Sequence, residues 1–169
     1  MRRAVLYRRE REVSANAAGA AWEVRKFIPT LSKPFLKDEK KTVKNILVRF
    51  WFLLMAGKRL AIYYVQSEDG RLIHTSVVMP KCLKFQYLKK GECEIGPCYT
   101  NAEYRGRGIY PCVLKHILSD YGAEMYYMTV GETNVSSIRG IEKAGFTRYG
   151  FIEKTKFFKF YRYAEEEDK

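Results

Sequence analysis

Tyr104-Arg105-Gly106-Arg107-Gly108-Ile109-Tyr110-Pro111 is the stretch on which the reading of this chain turns. Two closely spaced glycines make a tight turn, and Pro111 suits the first turn of a helix, where an N–H would go unpaired anyway. Ile109, Val113, Leu114, Ile117 and Leu118 then fall on one helical face. A glycine-rich turn that opens a helix is a ready anion site, because unpaired N–H groups and the helix dipole both favour negative charge. Glycine also lets the backbone approach a phosphate with no Cβ in the way. A second helix is expected from about Val135 to Ala144, with Gly145 as its C-cap.

Outward from that turn the chain reads as strands. Cys93 to Thr100 precedes it, and Met125 to Val130 is a short apolar run bounded by turn residues, which predicts a buried strand. Strand, helix, strand implies a parallel pair. Arg59 to Gln66 and Arg71 to Met79 flank Ser67-Glu68-Asp69-Gly70, whose Asp-Gly pair is a hairpin signal. Two further strands are expected over Thr147 to Glu153 and Lys156 to Tyr163. Asp38 can cap a helix running to about Met55, ended by Gly57, with Val43, Ile46, Leu47, Phe50 and Leu54 as its apolar stripe. Residues 1–28 set arginines around an alanine-rich centre and read as a helix that Pro29 and Pro34 terminate. The expected order is helix, three strands, helix, strand, helix, two strands, a mixed α+β fold. We divide the chain into a basic segment, residues 1–35, a folded domain, residues 36–164, and an acidic tail, residues 165–169.

Composition bounds the function. The 169 residues suit one domain, and 47% hydrophobic with 15% aromatic content is globular rather than disordered. The most apolar stretch, Ile46 to Gly57, contains Arg49 and falls short of the roughly 20 residues a spanning helix needs. No signal peptide is apparent after Met1-Arg2-Arg3, so a cytoplasmic location is expected. Cys82, Cys93, Cys98 and Cys112 lack metal-ligand spacing, so no metal is assigned and buried free thiols are expected. Residues 1–59 carry 15 Lys/Arg against 5 Asp/Glu, whereas residues 60–169 carry 16 against 14, within a net +12. The basicity thus sits in the first third. It is either a solvated cationic face or a contact for anionic membrane, nucleic acid or phosphorylated substrate, nucleic acid being the least favoured.

The pairing of Arg105-Gly106-Arg107-Gly108-Ile109-Tyr110 with Asn134, Ser137, Lys143, Gly145 and Phe146 resembles a GNAT-type acyl-CoA N-acyltransferase over about residues 40–160. That family's loop reads Arg/Gln-x-x-Gly-x-Gly/Ala, and its downstream pattern is Asn-x-x-Ser/Ala followed by Lys-x-Gly-Phe. The resemblance implies a mostly antiparallel central sheet with a splayed parallel pair, flanked by helices. It implies acetyl-CoA as acyl donor, with its pyrophosphate on the backbone of Arg105, Gly106, Arg107, Gly108, Ile109 and Tyr110. The pantetheine arm would lie beside Tyr99 and Thr100, with Asn134 and Ser137 at the start of the next helix. Two departures stand out. Tyr110 replaces a small residue, and the tyrosine that commonly protonates the leaving thiolate is Ile141 here.

Acyl transfer from a thioester needs a base and an oxyanion donor. Glu94 is the leading base, with Glu92 two residues earlier on the same face of the incoming strand and His74 on the preceding one. The alternatives are a solvated or ion-paired Glu94 and a hydrogen-bonded structural His74. Tyr99 has an orienting role open to it, although most of the 13 tyrosines are packing. Cys98 would invite a covalent route, but the resemblance implies direct transfer. The Gly108-Ile109-Tyr110-Pro111 wording is similar to acetyltransferases of surface-polysaccharide pathways, which points to an amino group on a nucleotide- or lipid-linked sugar. A non-catalytic acyl-CoA binder and a basic membrane or nucleic-acid module remain the other readings.

Overall fold

Apolar, β-branched and aromatic runs between turn residues build the sheet, and two glycine-bounded amphipathic stretches cover one side of it. The computed structural model describes residues 3–11, 22–37, 39, 43–56, 59–82, 84–154 and 161–164. The elements are β1 (Arg3–Glu10), β2 (Arg25–Phe27), α1 (Val43–Ala56), β3 (Ala61–Gln66), β4 (Leu72–Pro80), β5 (Cys93–Thr100), a 3₁₀ turn (Ala102–Tyr104), α2 (Ile109–Asp120), β6 (Met125–Val130), α3 (Val135–Lys143), β7 (Thr147–Lys154) and β8 (Tyr161–Ala164). Among the described residues the strands form one sheet in the order β2-β3-β4-β5-β6-β1-β7-β8. Every pair is antiparallel except β5–β6. This is the expected α+β class with its single parallel pair.

Two clusters fill the two sides. Ile109, Val113, Leu114, Ile117 and Leu118, the stripe read from the sequence, meet Tyr63, Ile95, Tyr126 and Met128 beneath α2 and α3. Phe52 and Leu53 of α1 meet Leu6, Met79, Phe85, Tyr87 and Tyr127 on the other side. The Asp69-Gly70 hairpin forms as read, with Gly70 at φ 82° and its N–H donating to Ser67 O at 2.9 Å.

Three expectations are corrected. The helix expected over residues 1–28 is a strand where it is described: β1 lies between β6 and β7, and β2 edges the sheet beside β3. Val5, Leu6 and Tyr7 are all buried, Leu6 on the α1 side and its neighbours on the α2 side, which is how an interior strand is packed. A boundary at residue 35 therefore separates a strand from the sheet that contains it. The stripe of α1 is also reversed. Phe52 and Leu53 are buried, whereas Val43, Leu47, Phe50 and Leu54 are exposed. The helix is apolar around most of its circumference, so periodicity alone could not select the inner face. Asp38, Gly57 and the Lys156 start of the last strand lie outside the described residues.

Glu92 is the third. β5 begins at Cys93, so Glu92 stands in the preceding turn, where its carboxylate accepts the Lys89 N–H at 2.6 Å. It shares no strand face with Glu94.

Candidate active site

The sheet opens at β5. Its parallel ladder with β6 has two pairs, Cys93↔Tyr126 and Glu94↔Tyr127, and stops there. Against β4 the register passes from Val78↔Ile95 to Ser76↔Cys98, so Gly96 and Pro97 together face Val77. Such a bulge bends its strand, and Pro97 has no N–H to lose at it. The rest of β5 thus leaves β6 while still pairing with β4.

The opening leads into a cleft of ≈ 430 Å³ lined by Cys98, Tyr99 and Thr100 of β5, the Arg105–Gly108 turn, and the first turns of α2 and α3. Gly106 and Gly108 hold φ of 78° and 74°, the left-handed region where a side chain is strained. A Cβ at either would meet no atom within 4 Å, so the space above the turn is open. Asn134 caps α3, its Oδ1 accepting the Ser137 N–H at 3.3 Å. Two helix N-termini therefore point into one cleft, each with a positive dipole end; at α3 the Ser137 N–H is taken by the cap and the Val135 N–H by Thr133 O at 3.0 Å.

Cationic side chains complete it. Arg105, Arg139 and Lys143 line the cleft, with Arg105 Nε tied to Thr100 O at 3.1 Å. Arg139 was missed from sequence and Lys143 was read there only as part of the downstream pattern, although their i, i+4 spacing puts them on the face of α3 that Ser136 begins. Of the residues expected at the cofactor, Tyr99, Thr100, Arg105, Gly106, Gly108, Ile109, Tyr110, Asn134 and Ser137 line the cleft; Arg107 does not. Its guanidinium lies over the Tyr104 ring at 5.2 Å, and its carbonyl accepts the Trp22 indole N–H at 3.3 Å.

Tyr110 turns its ring inward. Burial and a hydrogen bond with Cys98 push its hydroxyl above the ordinary tyrosine range. A Cβ on Gly140 would stand 2.4 Å from Tyr110 Cδ1, so the ring occupies space that only glycine leaves on α3. Ile141, the neighbour of Gly140, is buried in the core. Cys98 itself is raised to about 11 by burial and stays a thiol at neutral pH.

The two remaining candidate bases sit outside the cleft lining. Glu94 is 2% exposed at the last paired position before the split. Tyr87 OH donates to its Oε2 at 2.5 Å and Thr129 Oγ1 to its Oε1 at 2.9 Å. Burial outweighs these donors and raises Glu94 from an ordinary 4.5 to about 7. His74 has both ring nitrogens engaged, Nδ1 with Thr100 Oγ1 at 2.7 Å and Nε2 with Ser76 Oγ at 2.8 Å. Burial lowers it to about 4, so it is neutral and fixed, bracing β4 against the end of β5. Among the described residues no three His, Cys, Asp or Glu side chains gather as a metal site, and no helix is long and apolar enough to cross a membrane.

Comparison with known proteins agrees with this architecture. No family model matches the sequence, and no curated protein matches it. Among solved structures, a GNAT-family acetyltransferase from Colwellia psychrerythraea superposes with a TM-score of 0.60 at 15% identity, over 88% of this chain and 53% of that one. A GCN5-related N-acetyltransferase from Sphaerobacter thermophilus gives 0.59 at 16% identity, over 89% and 49%. A GCN5-related glucosamine N-acetyltransferase region of a fungal multi-domain β-N-acetylglucosaminidase gives 0.55 at 13%, over 88% and 20%. This chain spans about half the length of the first two. It has the GNAT fold.

Proposed function

We propose that this chain is an acyltransferase that moves an acetyl group from acetyl-CoA to an amine of a small molecule by direct attack on the thioester. The observation that carries the reading is the convergence of two helix N-termini and three cations on a cleft that begins where β5 parts from β6. The glycine turn would take the CoA pyrophosphate, with Arg105, Arg139 and Lys143 adding charge. The β5 edge freed beyond Glu94 offers backbone groups to the amides of the pantetheine arm.

The acceptor nitrogen attacks the thioester carbonyl carbon, a C–N bond forms, and collapse breaks the C–S bond to release CoA as thiolate. Glu94 takes the proton lost by the amine, its pKa near neutrality suiting a base that must be half-charged at working pH. We assign the proton returned to sulfur to the Tyr110 hydroxyl, because position 141 carries no donor. For the acceptor we propose an amino sugar carried on a nucleotide or lipid. Tyr87, Tyr127, Tyr149 and Tyr163 form a continuous wall of rings on the Glu94 side, Tyr149 and Tyr163 exposed, whose flat faces suit a sugar ring. The fungal glucosamine acetyltransferase region of the same fold supports that class.

Calorimetry with acetyl-CoA tests the cofactor, on the intact protein, on Gly106→Asp/Gly108→Asp and on Lys143→Glu. Micromolar binding, lost in the first variant and weakened in the second, supports the reading. No binding by the folded intact protein overturns it. Release of CoA thiol with glucosamine and a panel of simple amines then tests turnover; binding without turnover on any of them leaves a non-catalytic acyl-CoA binder.

A further inference from the structure

We propose that the outer face of α1 docks in the plane of an anionic lipid surface. Val43, Leu47, Phe50, Trp51 and Leu54 recur at helical spacing, and all five are exposed, Val43 by 76%, Leu47 by 67% and Leu54 by 74%. The opposite side of the same helix, through Phe52 and Leu53, is already packed on the sheet. A stripe of large apolar side chains that no described residue covers, on a helix that also buries its other side, asks for a second apolar surface.

Charge chooses the occupant. Residues 38–59 hold six Lys/Arg against Asp38 and Glu39; Arg49 is ion-paired with Glu39, and the other five are Lys40 and Lys41 ahead of α1 in sequence, Lys44 in its first turn, and Lys58 and Arg59 beyond its end. A second copy meeting this one would bring the same net-positive segment of sequence against it. Anionic headgroups would pair with its cations while the stripe enters the acyl boundary, the behaviour of an interfacial amphipathic helix. At 14 residues α1 is about 21 Å long, too short to span and long enough to lie flat. Trp51 stands mid-stripe, a residue suited to the water–lipid boundary. The docked helix rests on the side of the sheet that carries Glu94, since Tyr87 belongs to the cluster under α1 and donates to Glu94.

The test is co-sedimentation of the full chain with vesicles of pure phosphatidylcholine and of equimolar phosphatidylcholine and phosphatidylglycerol, in low and high salt. The wild type should bind the anionic vesicles, bind the neutral ones about tenfold less, and lose binding in salt. Leu47→Glu/Leu54→Glu should reduce anionic binding about tenfold or more with its melting temperature unchanged, and Leu47→Ala/Leu54→Ala should reduce it less. Equal binding by both vesicle types, anionic binding untouched by the glutamates, or no vesicle binding at all would each overturn the proposal. A concentration-dependent dimer by light scattering that Leu47→Glu/Leu54→Glu dissolves would give the face to a second copy instead. Acetyl-CoA affinity is read on the same samples, so failure of the lipid contact is separable from failure of the acyltransferase reading.

Discussion

Replacing Glu94 by Gln should stabilise the protein at neutral and alkaline pH while removing its proposed base. The carboxyl titrates at about 7 in the fold against an ordinary 4.5 unfolded. Between those values the folded state holds a proton that the unfolded chain has given up, so stability falls as pH rises through that window. At about 1.4 kcal/mol per pH decade the loss comes to roughly 3 kcal/mol, complete above the folded value. Glutamine stays neutral and avoids this loss. It keeps one acceptor oxygen for Tyr87 or Thr129, at a cost of about 1 kcal/mol for the weaker bond.

His74 makes the experiment sharper, because it works in the opposite direction. Its folded value of about 4 lies below an ordinary 6.5, so the unfolded state binds the extra proton and stability falls as pH drops through that window. The size is again roughly 3 kcal/mol. In the wild type the two slopes oppose each other between 4.5 and 6.5 and nearly cancel. Urea denaturation at a series of pH values should therefore show Glu94→Gln gaining stability as pH rises, with its advantage over wild type growing from 4.5 to about 7 and then level. Parallel curves for the two proteins would refute the raised Glu94. In turnover assays wild-type kcat/KM should climb with pH through about 7, and the Gln variant should lose that limb along with about a hundredfold or more in rate.

Other consequences follow from packing and charge. Gly140→Ala drives a methyl into the Tyr110 ring and should cost about 1–3 kcal/mol, much of it recovered in the double variant with Tyr110→Ala; additive losses in the cycle would deny the contact. Leu6→Ala empties a fully buried site on β1 and should cost about 2–5 kcal/mol by urea denaturation, whereas a peripheral N-terminal strand would lose under about 1 kcal/mol. Arg139→Glu/Lys143→Glu should weaken acetyl-CoA binding about tenfold or more in a salt-dependent way, yet leave binding of phosphate-free acetyl-pantetheine unchanged; equal losses for both would take these cations away from the phosphates.

What could be read before the structure was local. The stretch from Cys93 to Phe146 announces itself within windows of a few residues: positive-φ glycines at 106, 108 and 145, Asn134 as a cap, and an α2 stripe whose buried side matched residue for residue. What escaped was set at long range. Ala4-Val5-Leu6-Tyr7 is too short an apolar run to distinguish a central strand from a helical turn, and its neighbours in the sheet lie more than a hundred residues away. Arg139 looks like an ordinary surface cation, and Lys143 like a motif residue with no assigned task, until α3 is set beside the α2 turn. Glu92 failed although the strand start at Cys93 was read correctly: the i, i+2 spacing to Glu94 was extended one residue beyond the strand, into the turn where Glu92 accepts the Lys89 N–H.

The same division explains how the site is assembled. The anion end of the cleft is built from two turns whose local geometry is set by their own glycines or cap. The chemical end depends on the whole sheet. Glu94 is raised by its burial against the cluster beneath α1, which outweighs the lowering effect of the Tyr87 and Thr129 hydrogen bonds, and the groups around it come from the segment before β5, from β6, from β1 and from α1. Damage to β1 or to the inner face of α1 should therefore reach Glu94 by letting water in, lowering its pKa and moving the pH–rate limb toward acid, while acetyl-CoA affinity holds. A Leu53→Ala variant with an unchanged limb and normal cofactor binding would break that link between core and base.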